Sequence, residues 1–311
     1  MIVRDRPSGL QLFLILRGSV LPSIRSSLLA TTLIAALVSW TGGEVLHHKF
    51  TLTAIPFTLM GLPLAIFLGF RNNAAYDRYW EGRKQWGELV NQSRNLARQW
   101  LTLVDQNTPF AAAPGDLRTA MVRRAVAFAH ALRLRLRGEG NPEDVAAWVG
   151  AEEWQRVRGA ANLNYALMLE MGADLGRATR EGKLDPLLAP ALDSTLSHMT
   201  AAVTACERIK TTPIPFSYTL LLHRTAYLYC YLLPFGLVDT IGYLTPLVVV
   251  IVAYTIFGLD ALGDEIEEPF GNSDHDLPLD ALCRTIEIDM RTALGDTDLP
   301  PPMLPVNYAL S

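Results

Sequence analysis

Chemistry in this chain would have to come from a few scattered groups. His223 and Arg224 form the one strongly basic pair inside an otherwise apolar stretch. An ionisable group at membrane depth is functional by default and needs a partner or water. Arg224 lies about 15 Å of helix from the start of its stretch, so it is equally placed to anchor the helix by reaching the interface or a carboxylate such as Asp77 or Asp260. His47-His48 are two adjacent imidazoles without a neighbouring carboxylate cluster, a weak metal motif. Gly138-Glu139-Gly140 lacks the strand that a nucleotide fingerprint requires, and HExxH, GxSxG and a phosphate-binding glycine loop are missing. No catalytic residue, cofactor or confident metal site follows from these groups, and the chain reads as something other than an enzyme.

A second kind of chemistry is passage. Leu62, Ile66 and Phe70 stand at i, i+4 and i+8 within the apolar run 54–70, so on a helix they form one stripe along about 12 Å of axis. Such a stripe suits a narrow hydrophobic passage. Most apolar stripes are packing surfaces, however, and periodicity alone does not make a pore. At residue 71 the run passes, without a proline or turn signal, into Arg71-Asn72-Asn73-Ala74-Ala75-Tyr76-Asp77. A greasy helix is expected to leave the bilayer and continue into water.

The elements that must carry these groups are helices. The 311 residues are 50% hydrophobic and only 19% charged, with positive mean hydropathy, and the apolar residues are clustered. A net charge of −4 is close to neutral, so nothing suggests a nucleic-acid partner. Cys206, Cys230 and Cys283 are far apart and read as reduced, buried thiols.

In order, residues 1–23 read as an amino-terminal cytoplasmic or interfacial helix, with Arg4, Arg6 and Arg17 around a short apolar core. Residues 24–70 hold two transmembrane helices, with Pro56 near the outer start of the second and Pro63 deeper, where it should kink the helix or be relieved by a neighbour. Residues 71–212 read as a cytoplasmic all-helical domain. Tyr79, Trp86, Leu89, Val90, Ala97 and Trp100 recur at helical spacing, as do apolar residues from Leu117 to Leu136 among several arginines, which read as solvated faces and ion pairs. Asn141-Pro142 and Asp185-Pro186 look like helix starts. Residues 213–262 hold two more spans, 216–238 and 241–259, joined at Asp239-Thr240, and 263–311 form a cytoplasmic carboxy-terminal segment with an extended, proline-rich tail. Arginine is concentrated before Arg25 and after Phe70, which predicts four spans in the cell membrane with both termini cytoplasmic.

Several separated motifs together resemble the bestrophin family, most closely its bacterial branch. They are Arg17-Gly18-Ser19, the run from Gly61-Leu62-Pro63 to Leu68-Gly69-Phe70, Asp77-Arg78-Tyr79-Trp80-Glu81, Ile214-Pro215-Phe216-Ser217-Tyr218 and Pro269-Phe270-Gly271, in this order. The similarity covers residues 7–291. It implies an all-α, funnel-shaped homopentameric ion channel in a bacterial inner membrane, with lipid and small inorganic ions as further partners. In such a channel the second span of each subunit lines an axial pore. The resemblance puts the hydrophobic neck on Leu62, Ile66 and Phe70, and the cytoplasmic aperture on Leu187. Five Asp185 carboxylates beside that aperture would attract ions in a vestibule, although capping a helix start is the commoner use of such a residue.

The bacterial branch and the acidic balance together point towards monovalent cations such as sodium, with an anion channel of the same architecture as the alternative. Animal relatives place an acidic cluster after Pro-Phe-Gly, whereas here Asn272-Ser273-Asp274-His275-Asp276 follows, and calcium gating is not expected. A transporter would show repeated halves, which this chain lacks. A membrane scaffold would need no apolar stripe running into a cytoplasmic helix.

Overall fold

The computed structural model describes residues 1–4, 9, 15–45, 48–49, 52–113 and 115–311. The expected interfacial helix falls mostly outside them, and so does His47. The described residues are overwhelmingly helical. Helices α1 (Leu21–Trp40) and α2 (Ala54–Leu103) are separated by a hairpin of two-residue strands, β1 (Glu44–Val45) and β2 (His48–Lys49). There follow α3 (Leu117–Arg137), the short α4 (Glu143–Ala146) and α5 (Ala151–Val157), α6 (Leu163–Arg180), α7 (Ala189–Thr211), α8 (Phe216–Ile241), α9 (Thr245–Glu267) and α10 (Leu279–Leu294).

Two compact units divide the chain. The first comprises Arg4–Tyr79 and Pro213–Pro269, and the second Met1–Val3, Trp80–Thr212 and Phe270–Ser311. Three helical stretches among the described residues are long and apolar enough to cross a membrane: Leu21–Trp40, Ala54–Leu103 and Phe216–Glu267. The last is broken by a 3-10 turn at Gly242–Leu244, where Gly242 adopts φ +53°. Side chains rarely tolerate that value, so the glycine fixes the reversal between α8 and α9. The turn thus falls a few residues beyond the expected Asp239-Thr240.

In the first unit the start of α2 packs with α1, α8 and α9. Ile24, Cys230, Ala253 and Phe257 form one buried cluster, Ala35, Phe57, Leu233 and Val249 a second, and Leu64, Leu68, Leu222 and Ala226 a third. The pairs Cys230–Phe257 and Leu233–Val249 make α8 and α9 an antiparallel hairpin. Some hydroxyls are satisfied across elements: the Ser27 and Tyr227 hydroxyls lie 3.0 Å apart, and Ser39 donates to the Gly242 carbonyl at 3.0 Å. Helix α2 runs uninterrupted for 50 residues, with Pro63 inside it. The expected passage from apolar to polar helix without a break is what the backbone does.

The second unit buries Trp86, Leu89 and Trp100 of α2 together with one side of α3, α6, α7 and α10. Most arginines of α3 are ion-paired, as the pattern suggested, but Arg118 and Arg124 are buried rather than solvated. Arg124 donates to Glu153 at 2.5 and 2.9 Å and to Asp174 at 2.8 Å, with all three side chains almost wholly enclosed. Arg133 and Arg137 share Asp280 of α10 at 2.8 and 2.6 Å. Burial pushes the Asp280 carboxyl up, but the Arg137 hydrogen bond and the field of both arginines bring it below the usual carboxylate range. All three cysteines are buried and free.

Candidate functional site

Helix α2 presents two different faces along its apolar half. Phe57, Leu64, Leu68, Arg71 and Ala75, at helical spacing, are buried against the unit's other helices. Leu62, Ile66 and Phe70 lie off that stripe and are 66%, 46% and 60% exposed, so in a single chain all three rungs are free to face something else. A neck built from several copies needs residues that the chain itself does not cover. Phe70 touches Phe67 edge to face, with ring centroids 6.3 Å apart, and Phe67 meets Tyr218 of α8 in the same way. The Tyr218 hydroxyl donates to the Phe67 carbonyl at 3.1 Å, so the motif ahead of α8 buttresses the backbone between the second and third rungs.

Directly after Phe70, the Arg71 side chain is wholly buried. Its Nη1 donates to Asp260 Oδ1 at 2.8 Å and to the Asp260 carbonyl at 3.2 Å, and its Nη2 pairs with Asp264. Glu267 stands 3.8 Å away. His223 Nδ1 lies 2.8 Å from the other Asp260 oxygen. Sequence reasoning singled out His223 but assigned Arg71 to the exposed basic flank. The missed signal was periodicity: Arg71 continues the inward stripe of Leu64 and Leu68, and Asp260, Asp264 and Glu267 repeat at i, i+4 and i+7 on α9. Because Asp260 is engaged by Arg71 and His223, Arg224 does not reach it and is exposed.

In the second unit Leu187 is 86% exposed in the turn before α7. Asp185 Oδ1 accepts the Leu187 N–H at 2.9 Å, and α7 begins at Ala189, four residues later than Asp185. Asp185 therefore closes a turn ahead of the helix rather than capping its first turn. Asn141 acts similarly, its Oδ1 accepting the Glu143 N–H at 3.0 Å at the head of α4. After Pro269-Phe270-Gly271, Asp276 is buried and accepts the Ser273 N–H at 2.6 Å, so this carboxylate folds its own loop. No group of three or more His, Cys, Asp or Glu placed to hold a metal occurs among the described residues.

These features belong together in one family. The family model described as "Bacterial/Fungal Bestrophin protein" matches residues 1–292. The chain belongs to the bacterial and fungal bestrophins. A bestrophin homologue from Klebsiella pneumoniae, solved by crystallography, superposes with a TM-score of 0.79 at 35% identity over 88% of this chain and 100% of that one. A protein of Mesorhizobium japonicum, named a voltage-dependent anion channel-forming protein, is 46% identical over 98% of this chain and 95% of its own length. One of Escherichia coli K12 with the same name is 41% identical over 98% of both chains. This bestrophin is a membrane protein whose relatives form channels and are not enzymes, as the motifs implied.

Proposed function

We propose that the chain assembles as a homopentamer and conducts small ions through an axial pore lined by α2, with its neck at Leu62, Ile66 and Phe70. The carrying observation is that these three residues form an exposed stripe on a helix long and apolar enough to cross a membrane. Five copies of that stripe make a narrow dry tube that resists wetting, so conduction requires the helices to shift or the side chains to turn aside. The four helices of the first unit cross the cell membrane in this reading, with both termini cytoplasmic. Leu187 forms the cytoplasmic aperture, and Asp185 lies beside it.

The permeant species in this reading is an anion. The relatives named for anion-channel formation support this over monovalent cations such as sodium. The cation reading drew on the bacterial branch and the acidic balance, and the same bacterial relatives favour the anion. Asp185, the vestibule candidate, has one carboxylate oxygen accepting the Leu187 N–H. Purified protein in planar bilayers under a chloride gradient tests both points. Unitary currents that reverse near the chloride equilibrium potential are expected, and reversal near the cation potential would return the preference to cations. Replacing Leu62, Ile66 and Phe70 together by alanine should enlarge the current, because the removed side chains widen and wet the throat. Conductance and gating unchanged in that variant would refute the neck assignment.

A further inference from the structure

The cluster around Arg71 has a geometry that the conduction pathway alone does not require. A guanidinium with no exposed surface is held by carboxylates from α9, and one of these, Asp260, is held from its other side by His223 of α8. A single carboxylate thus bridges α2 and α8. The approach is close: a Cβ at Gly263 would stand 2.6 Å from Asn72 Oδ1, which would have to move, and in tight contact, 3.3 Å, with Arg71 Cζ. Buried ion pairs rarely add stability over apolar packing of the same volume, and their best-attested use is to fix register.

Arg71 follows Phe70 on one helix, so anchoring its side chain fixes the rotation of α2 at the last rung. We propose that Arg71 is a positioning residue for the neck, and that Asp260 passes to it the protonation state of His223. The proposal rests on the channel reading above. Imidazole is the side chain whose charge changes between pH 5 and 8. When His223 is protonated, both Asp260 oxygens face cations, and α2, α8 and α9 are clamped with Phe70 turned into the throat. When it is neutral, the clamp loses one charge–charge attraction and α2 rotates more freely.

His223 is surrounded by few other charges. Asp260 faces it from α9, with Asp264 and Glu267 one and two turns further along, and Arg71 faces it from α2 through Asp260. On its own helix the Tyr227 ring stacks on it with centroids 4.3 Å apart, and Arg224 beside it is exposed. From α1, Ser27 reaches Tyr227, and Arg25, the one charged residue of that helix, is exposed. His223 is itself half-exposed in the single chain.

The test is the pH profile of the current in planar bilayers, together with hydrogen–deuterium exchange of the amides 66–74 in the assembled protein. Wild-type current should fall by roughly fivefold on acidification from about pH 8 to about pH 6, the low end of ordinary coupling between linked sites. His223→Gln should flatten that profile while conducting, and Arg71→Lys should alter open probability at every pH. The protection of those amides, taken relative to the intrinsic exchange rate at each pH, should rise in wild type on acidification. A His223→Gln channel that keeps the wild-type profile would overturn the proposal. If that variant does not assemble, pH-independent protection in wild type overturns it equally. Wild-type protein that passes no current at any pH defeats the channel reading instead, and the exchange measurement then judges the clamp by itself.

Discussion

His130 shows how one side chain sets a pH limit on the helical unit. It sits in α3 with its Nδ1 buried and lacking a hydrogen-bond partner among the described residues. Burial, reinforced by the nearby Arg133, pushes its pKa down from 6.5 to about 4. The native imidazole therefore stays neutral where the unfolded one is already protonated. Its contribution is intact above about pH 6.5 and is lost as the pH falls towards 4. A thermal melt should show the midpoint dropping across that interval, and His130→Gln should shallow the drop. Arg124 gives a prediction of size. Arg124→Met takes from Glu153 its paired guanidinium and leaves Asp174 with Arg177 alone, and should destabilise the unit by about 3 kcal/mol in denaturant unfolding. Replacing Arg124, Glu153 and Asp174 by apolar residues of similar volume should recover most of that loss.

What the sequence conveyed at this scale was uneven, for a physical reason. The stripe of Leu62, Ile66 and Phe70 was legible because a stripe needs only spacing, and the structure leaves all three exposed. The motif order, not the spacing, carried the proposal that they form a neck. Arg71 was not, because a charge beside a membrane boundary reads as solvated until its partners are known, and those partners lie 189 and 193 residues away. His223 was singled out without a role and meets Asp260, but its neighbour Arg224, not Arg71, looked like the charge that needed a carboxylate.

Among the elements, helices with one apolar face were the easiest to foresee. The spacing predicted α3 from Leu117 to Leu136, and the helix runs Leu117–Arg137 because Asp116 accepts the Arg118 N–H and Gly138 ends the helix at φ +72°. The turn before α7 was harder, since Asp185-Pro186 suits both a helix start and a turn. Close helix approaches are invisible in one dimension. At Gly236 of α8, a Cβ would lie 2.3 Å from the Phe57 ring of α2. Gly236→Ala must therefore displace that aromatic ring or separate the two helices. A loss of about 1–3 kcal/mol is expected, read as a lower melting temperature of the detergent-solubilised protein. Gly69 meets nothing within 4 Å, so Gly69→Ala should leave that temperature unchanged or slightly raised.

At the scale of the whole molecule, exposed apolar surface is the quantity that demands an explanation. Leu62, Phe70, Leu169, Leu187 and Phe216 all lie open on the single chain, and patches of this kind mark lipid or subunit contacts. Native mass spectrometry of protein released from detergent should give about five times the 34.3 kDa chain mass. A monomeric mass would remove the axial pore and with it the role of the neck. Disulfide trapping offers a second check: in the proposed pentamer Phe70→Cys puts a thiol close to the symmetry axis and should yield covalent dimers on oxidation, whereas Phe57→Cys, buried inside one chain, should not.

Pro63 bears on how such a throat ever becomes wet. Lying next to Leu62 inside an unbroken helix, it has no N–H to offer the Leu59 carbonyl one turn before it. In the proposed pentamer five such carbonyls would stand near the outer lip of an oily bore, where a hydrated ion would exchange part of its water shell for backbone dipoles before it meets the first leucine.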